Sequence, residues 1–122
     1  MKKTTTILTP EEERVMWGKG TEAPFSGTLL HEKRSGTFVC KACGAPLFNA
    51  GTKFDSGSGW PSFSDALPDA VSYFDDTSHG MQRVAVDCAS CGGHLGHIFP
   101  DTSPTGKQFC INSVSLDFKE EK

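Results

Sequence analysis

The chain has 122 residues, with 12 Lys plus Arg against 15 Asp plus Glu, a formal net charge of −3 and 36% hydrophobic residues. That length suits one hydrophobic core, so residues 1–122 are expected to form a single domain, frayed at about 1–8 and 119–122. The acidic balance removes the electrostatic attraction behind most non-specific nucleic-acid binding, and no apolar run approaches the roughly 18 to 20 residues of a membrane span.

Between Met1-Lys2-Lys3 and Pro10 the apolar residues are Ile7 and Leu8, too few for a secretory signal. The expectation is a cytoplasmic monomer that binds neither nucleic acid nor membrane. Thirteen Gly and seven Pro beside nine Phe point to short strands and many turns, hence a mainly β fold.

Thr9-Pro10-Glu11-Glu12 combines a side-chain cap, Pro at the first helical position and Glu three residues after the cap, which predicts a short helix ending near Gly18. From Thr37 the pattern changes to β-like runs at 37–40, 71–74, 82–86 and 108–118, separated by Gly, Pro, Asp and Ser clusters. If the last run is one unbulged strand, Cys110, Asn112, Val114, Leu116 and Phe118 share a face.

Cys40-Lys41-Ala42-Cys43-Gly44 and Cys88-Ala89-Ser90-Cys91-Gly92 are two tight turns, each followed by a glycine that lets the chain leave it. Their two-residue spacing aims both sulfurs of a pair at one ion. Four thiolates make a closed tetrahedral shell for one structural Zn²⁺, with no position left for water. Neither pair has the βαβ context of a thioredoxin-like centre, and Asp87 rather than Pro precedes Cys88, which argues against a zinc deaminase.

The fifth cysteine, Cys110, is left without a zinc role, and alone it reads first as a small buried hydrophobe. His94-Leu95-Gly96-His97-Ile98-Phe99-Pro100-Asp101 supplies imidazoles and a carboxylate suited to acid–base work near a thiolate. Trp60, in Gly59-Trp60-Pro61-Ser62-Phe63, either anchors a loop or walls an apolar pocket.

These motifs, in this order and spanning about residues 9 to 118, resemble the B-type peptide-methionine (R)-S-oxide reductases. The resemblance implies two antiparallel β-sheets in a tent-like or barrel-like arrangement, short N-terminal helices, a structural four-cysteine zinc site remote from the active site, and reduction of the R epimer of methionine sulfoxide. By position, Cys110 matches the nucleophile, and His94 and His97 match the histidines around the sulfoxide oxygen. Asp101 and Asn112 match polar residues that order the site; Trp60 receives the substrate methyl group, with Phe99 as a second substrate-binding residue. The implied partners are oxidised methionine in proteins or peptides, and thioredoxin or glutaredoxin with glutathione as reductant.

Two positions depart from the family pattern. Ser58 stands where many members carry a resolving cysteine, so a Cys110 sulfenic acid would need an external thiol. Gln108 stands where Arg is common, and an amide cannot add the fixed positive charge a guanidinium would bring; Lys107 should face the other way. A zinc-knuckle binding module without turnover is the alternative reading, and Cys110 discriminates, since a binding module does not need it.

Overall fold

The computed structural model describes residues 9–18, 20–23, 25, 27, 29–54, 59–77, 83–100 and 105–120. Helix α1 spans Pro10–Met16 and begins in a full capping box: the Thr9 side chain accepts from the Glu12 amide, and the Glu12 carboxylate accepts from the Thr9 amide. It stops at Met16, earlier than the expected end near Gly18, and buries Val15 and Met16. Among the described residues it is the one α-helix, where the resemblance implied several.

Among the described residues nine strands follow: β1 Gly36–Cys40, β2 Pro46–Asn49, β3 Lys53–Phe54, β4 Ser62–Phe63, β5 Val71–Asp76, β6 Arg83–Cys88, β7 His94–Pro100, β8 Lys107–Ile111 and β9 Leu116–Glu120. They form two antiparallel sheets, ordered β2-β1-β9 and β3-β4-β8-β7-β6-β5, as the mainly β expectation required. Phenylalanines join them: Phe38 and Phe48 of the small sheet meet Phe63 of the large one with ring centroids 5.0 and 4.3 Å apart, and Phe48 lies 5.6 Å from Phe109. All four are fully buried. Aromatic pairs at this range add about 0.5–1.5 kcal/mol each beyond burial.

Two expectations need correction. The run 108–118 is not one strand: β8 ends at Ile111, Ser113–Ser115 form a 3₁₀ turn, and β9 starts at Leu116 in the other sheet. Asn112 causes the break, because its side-chain amide donates to the Leu95 carbonyl at 2.9 Å and its Oδ1 accepts the Glu22 amide at 3.0 Å, tying the chain to other segments. Lys119 and Glu120 are not frayed; they pair with Thr37 and Gly36 of β1.

Candidate active site and metal centre

The two cysteine turns are built alike. In each, the glycine amide donates back to the first cysteine carbonyl, Gly44 to Cys40 at 2.9 Å and Gly92 to Cys88 at 2.8 Å. Both glycines have φ of +79°, a left-handed conformation that costs other residues energy. The four sulfurs lie within 4.8 Å of one another, with Cys40 to Cys91 at 3.6 Å and Cys43 to Cys88 at 3.7 Å. Tetrahedral Zn–S bonds of about 2.3 Å require sulfurs about 3.8 Å apart, so the donor set fits such an ion. Crowding of the thiols points the same way. The hydrogen bond with Cys88, and then burial, push Cys40 far above the usual thiol range, while the Cys40 hydrogen bond holds Cys88 down at about 5. A divalent cation relieves that conflict by stabilising all four sulfurs as anions.

The second site is written across the large sheet. Antiparallel partners present their side chains to the same face, and register places Ser62, Cys110, His97, Ala85 and Phe74 in one row across β4, β8, β7, β6 and β5. Next to it, Gln108 pairs with Phe99, and Arg83 pairs with Asp76. The strand period of two puts these residues on the Cys110 face as well. The opposite face carries Phe109 and Ile111 into the core.

Above the row lies a small cavity, partly open to solvent and lined by Trp60, Arg83, His97, Phe99 and Cys110 together with Thr21, Gly96 and Asn112. The Trp60 indole donates to the Glu22 carbonyl at 3.0 Å, which fixes the ring as a wall rather than a loose cover. Phe99 stands beside His97 with ring centroids 6.3 Å apart. The Gln108 amide donates to Cys110 Sγ at 3.0 Å, and Ser62 Oγ lies 3.9 Å from the same sulfur. Gln108 therefore still aims a donor at the Cys110 sulfur, without the charge of the common Arg. Lys107 turns away as alternation requires, with its ammonium 3.8 Å from Asp65.

His94 and His97 are three apart and would face opposite sides of a regular strand. A bulge corrects this. Gly96 pairs with Val86 but His94 pairs with Asp87, so β7 carries one extra residue there, Leu95. The two imidazoles end 5.4 Å apart. Their surroundings differ: His97 lines the cavity, whereas His94 is buried behind it, hydrogen-bonded through Nδ1 to Asp87 at 2.9 Å. His97 Nε2 meets Asp76 Oδ2 at 2.7 Å. Burial pulls the His97 pKa below the ordinary imidazole value; the Asp76 hydrogen bond opposes this, and the Arg83 and His94 charges add to it. Asp101 and Ser58 lie outside the described residues.

The sequence reading missed Asp76, Arg83, Thr21 and Glu22. A usable signal existed for the first pair, since acidic and basic residues at the facing ends of consecutive strands commonly pair. Glu22 gave no such signal. It is 2% exposed, its amide holds Asn112, its carbonyl holds Trp60, and its Oε1 accepts the Val114 amide at 3.0 Å. Oε2 has no hydrogen-bond partner among the described residues, and burial raises the Glu22 pKa. Its contribution to stability is therefore largest at low pH and declines as pH rises from the ordinary carboxyl range through the raised folded value. In urea unfolding at pH 5 and pH 8, Glu22→Gln should flatten that decline, whereas Glu22→Ala should cost about 1–3 kcal/mol by orphaning the Val114 amide.

Gly96 makes the close approach of β7 and β8 possible. A Cβ there would lie 2.1 Å from the Cys110 carbonyl oxygen and 2.9 Å from Ile111 Cα, both backbone atoms. Gly96→Ala should destabilise the protein by about 1–3 kcal/mol and displace Cys110, measurable as a lower denaturation midpoint with a matching loss of activity.

Comparison with known proteins follows the same lines. A SelR domain matches residues 8–120. The chain is 55% identical over 117 residues to a peptide methionine sulfoxide reductase MsrB from Leifsonia xyli subsp. xyli, covering 93% of this chain and 84% of that protein. It is 54% identical over 118 residues to one from Methanosarcina barkeri, covering 95% and 83%. Against one from Photorhabdus laumondii subsp. laumondii it is 56% identical over 116 residues, covering 93% and 85%. With its cysteine shell, its bulged histidine strand and a SelR match over nearly its whole length, the chain belongs to the methionine sulfoxide reductase B family of oxidoreductases.

Proposed function

We propose that this chain, acting as a single domain, reduces the R epimer of methionine sulfoxide in proteins and peptides to methionine, with Cys110 as nucleophile. The observation that carries this reading is the cavity in which Cys110 and His97, direct partners across β7 and β8, face the aromatic rings of Trp60 and Phe99. A sulfoxide has an apolar methyl, a polar oxygen and a lone pair on one stereocentre. A site that combines aromatic rings with an imidazole and a thiol in one cavity can distinguish its epimers.

The sulfoxide sulfur is a poor electrophile until its oxygen gains a proton. In the proposed step the Cys110 thiolate attacks that sulfur while protonated His97 gives its proton to the oxygen. The protonated oxygen then passes to the Cys110 sulfur as its bond to the substrate sulfur and the transient bond between the two sulfurs break, so methionine leaves and Cys110 becomes a sulfenic acid, oxidised by two electrons as the substrate is reduced by two. An external thiol condenses with it, releasing water and forming a mixed disulfide. A second thiol then restores Cys110. Asn112 and Trp60 orient the site through their shared anchor on Glu22, and His94, held by Asp87, supports the ring of His97. Asp101 is proposed to order the same site.

We assign the four-cysteine centre to one structural zinc ion, which clips β1 to β6 and performs no chemistry on substrate. The physiological thiol is proposed to be thioredoxin or glutathione with glutaredoxin, in a reducing cytoplasm that keeps the five thiols unpaired, with the protein acting as a monomer. No helix among the described residues is long and apolar enough to cross a membrane. The test is turnover of N-blocked methionine sulfoxide, one epimer at a time, with a thiol donor. Methionine should form from the R epimer alone. Equal conversion of both epimers, or of neither with zinc and fold intact, refutes the assignment, the latter in favour of a binding module.

A further inference from the structure

The residues that sequence motifs did not mark converge on His97 from the β5 edge of the same face of the sheet. Asp76 stands on β5 and His97 on β7, two strands apart, roughly 9.6 Å at the usual strand spacing. Yet the carboxylate and Nε2 meet at 2.7 Å. The strand between them carries Ala85 as the direct partner of His97, and its methyl is short enough for the ring to pass over it. Arg83, beside Asp76 in the register, binds the same oxygen, Oδ2, at 3.3 Å. Both members of that ion pair are largely buried, with 19% and 23% side-chain exposure, so solvent screens them weakly.

We propose that Asp76 is the positioning carboxylate of His97: it accepts a hydrogen bond from Nε2–H, which leaves Nδ1 as the nitrogen that takes up and delivers the catalytic proton, while Arg83, bound to the same carboxylate oxygen, limits the strength of that hydrogen bond. The catalytic half of this inference rests on the reductase reading above; the tautomer half does not. An ionised carboxylate only accepts, so a 2.7 Å contact with Nε2 requires the hydrogen to sit there. The neutral ring then carries its lone pair on Nδ1, and the imidazolium has Nδ1–H to give. Among the described residues the charged and titratable groups facing the imidazole are Asp76 from β5, Arg83 from β6, His94 from its own strand and Cys110 from β8.

The two neighbours of His97 pull in opposite directions, and this separates positioning from simple scaffolding. Asp76 favours the charged ring and Arg83 disfavours it. Asp76→Asn offers a carboxamide that can donate as well as accept, so the tautomer lock is lost and the charged form loses its partner. Arg83→Met removes the competing cation. Loss of a mere structural strut would slow both variants without moving either profile.

The experiment has two readouts on zinc-loaded protein. Imidazole ¹⁵N shifts of His97 in the unaltered chain should show the Nε2–H tautomer, and in Asp76→Asn a mixture of both. The pH profile of single-turnover methionine formation should lose its acid-dependent limb at lower pH in Asp76→Asn, with the rate at pH 7.5 falling at least about tenfold and KM little changed. In Arg83→Met the limb should move to higher pH. An Nδ1–H tautomer in the unaltered chain overturns the inference without any variant having to fold. Limbs that stay fixed in both variants overturn its catalytic half. Failure of the unaltered chain to produce methionine from either epimer refutes the reductase reading, and with it the catalytic half, while the ¹⁵N measurement still decides the geometry.

Discussion

Cys40→Ser is expected to leave the protein unable to hold zinc or reach its native fold, giving an unfolded far-ultraviolet spectrum and no cooperative melt. The magnitude follows from two scales. Structural zinc contributes an apparent ~10 to 16 kcal/mol in small zinc peptides, and a whole domain has a net stability of roughly 5 to 15 kcal/mol. Cys40 closes β1, the centre strand of the small sheet, and Cys88 closes β6 of the large one. An ion held by these cysteines would join segments that are distant in sequence, one from each sheet, and its loss would free both. Chelation of the unaltered protein should reproduce the variant, with zinc released in step with loss of the near-ultraviolet signal from Trp17 and Trp60. A zinc-free Cys40→Ser protein that still melts cooperatively would show that the phenylalanine core suffices alone.

The second large effect is on chemistry alone. Cys110→Ser should abolish methionine formation by several orders of magnitude while leaving zinc content and melting behaviour nearly unchanged. An alcohol is a far weaker nucleophile than a thiolate, and it cannot cycle through a sulfenic acid. Ser62 Oγ lies 3.9 Å from Cys110 Sγ, so the environment tolerates a hydroxyl there without a new buried orphan. The two variants should thus separate cleanly, one losing fold and the other losing turnover. Residual activity in Cys110→Ser above a few per cent would require another nucleophile.

Much of this was legible in the residues. The capping box at Thr9 and the two C-x-x-C-Gly turns are local chemistry, and the structure realises them as read. Strands at 37–40, 71–74 and 82–86 were also visible, because their apolar residues cluster between turn formers. Strand β7 was not: its Gly96 weakens any β signal, and its bulge hides the period of two that would have revealed it. The break at Asn112 was equally hidden, since it depends on Leu95 and Glu22, far away in the chain. The Asp76 and Arg83 clasp on His97 depends on strand order, with Ala85 as the gap in between. Register decides such contacts, and a single sequence does not display register.

In the proposed reaction one cysteine performs the reduction while the other four hold the metal. Single turnover of zinc-loaded protein with the R epimer, in the absence of any reductant, followed by intact mass and thiol counting, tests it most directly. One methionine per chain, a gain of one oxygen mapped to Cys110, and four zinc-bound thiols left unchanged is the predicted result. An intramolecular disulfide to Cys110, or oxygen on any other cysteine, would overturn that division of roles.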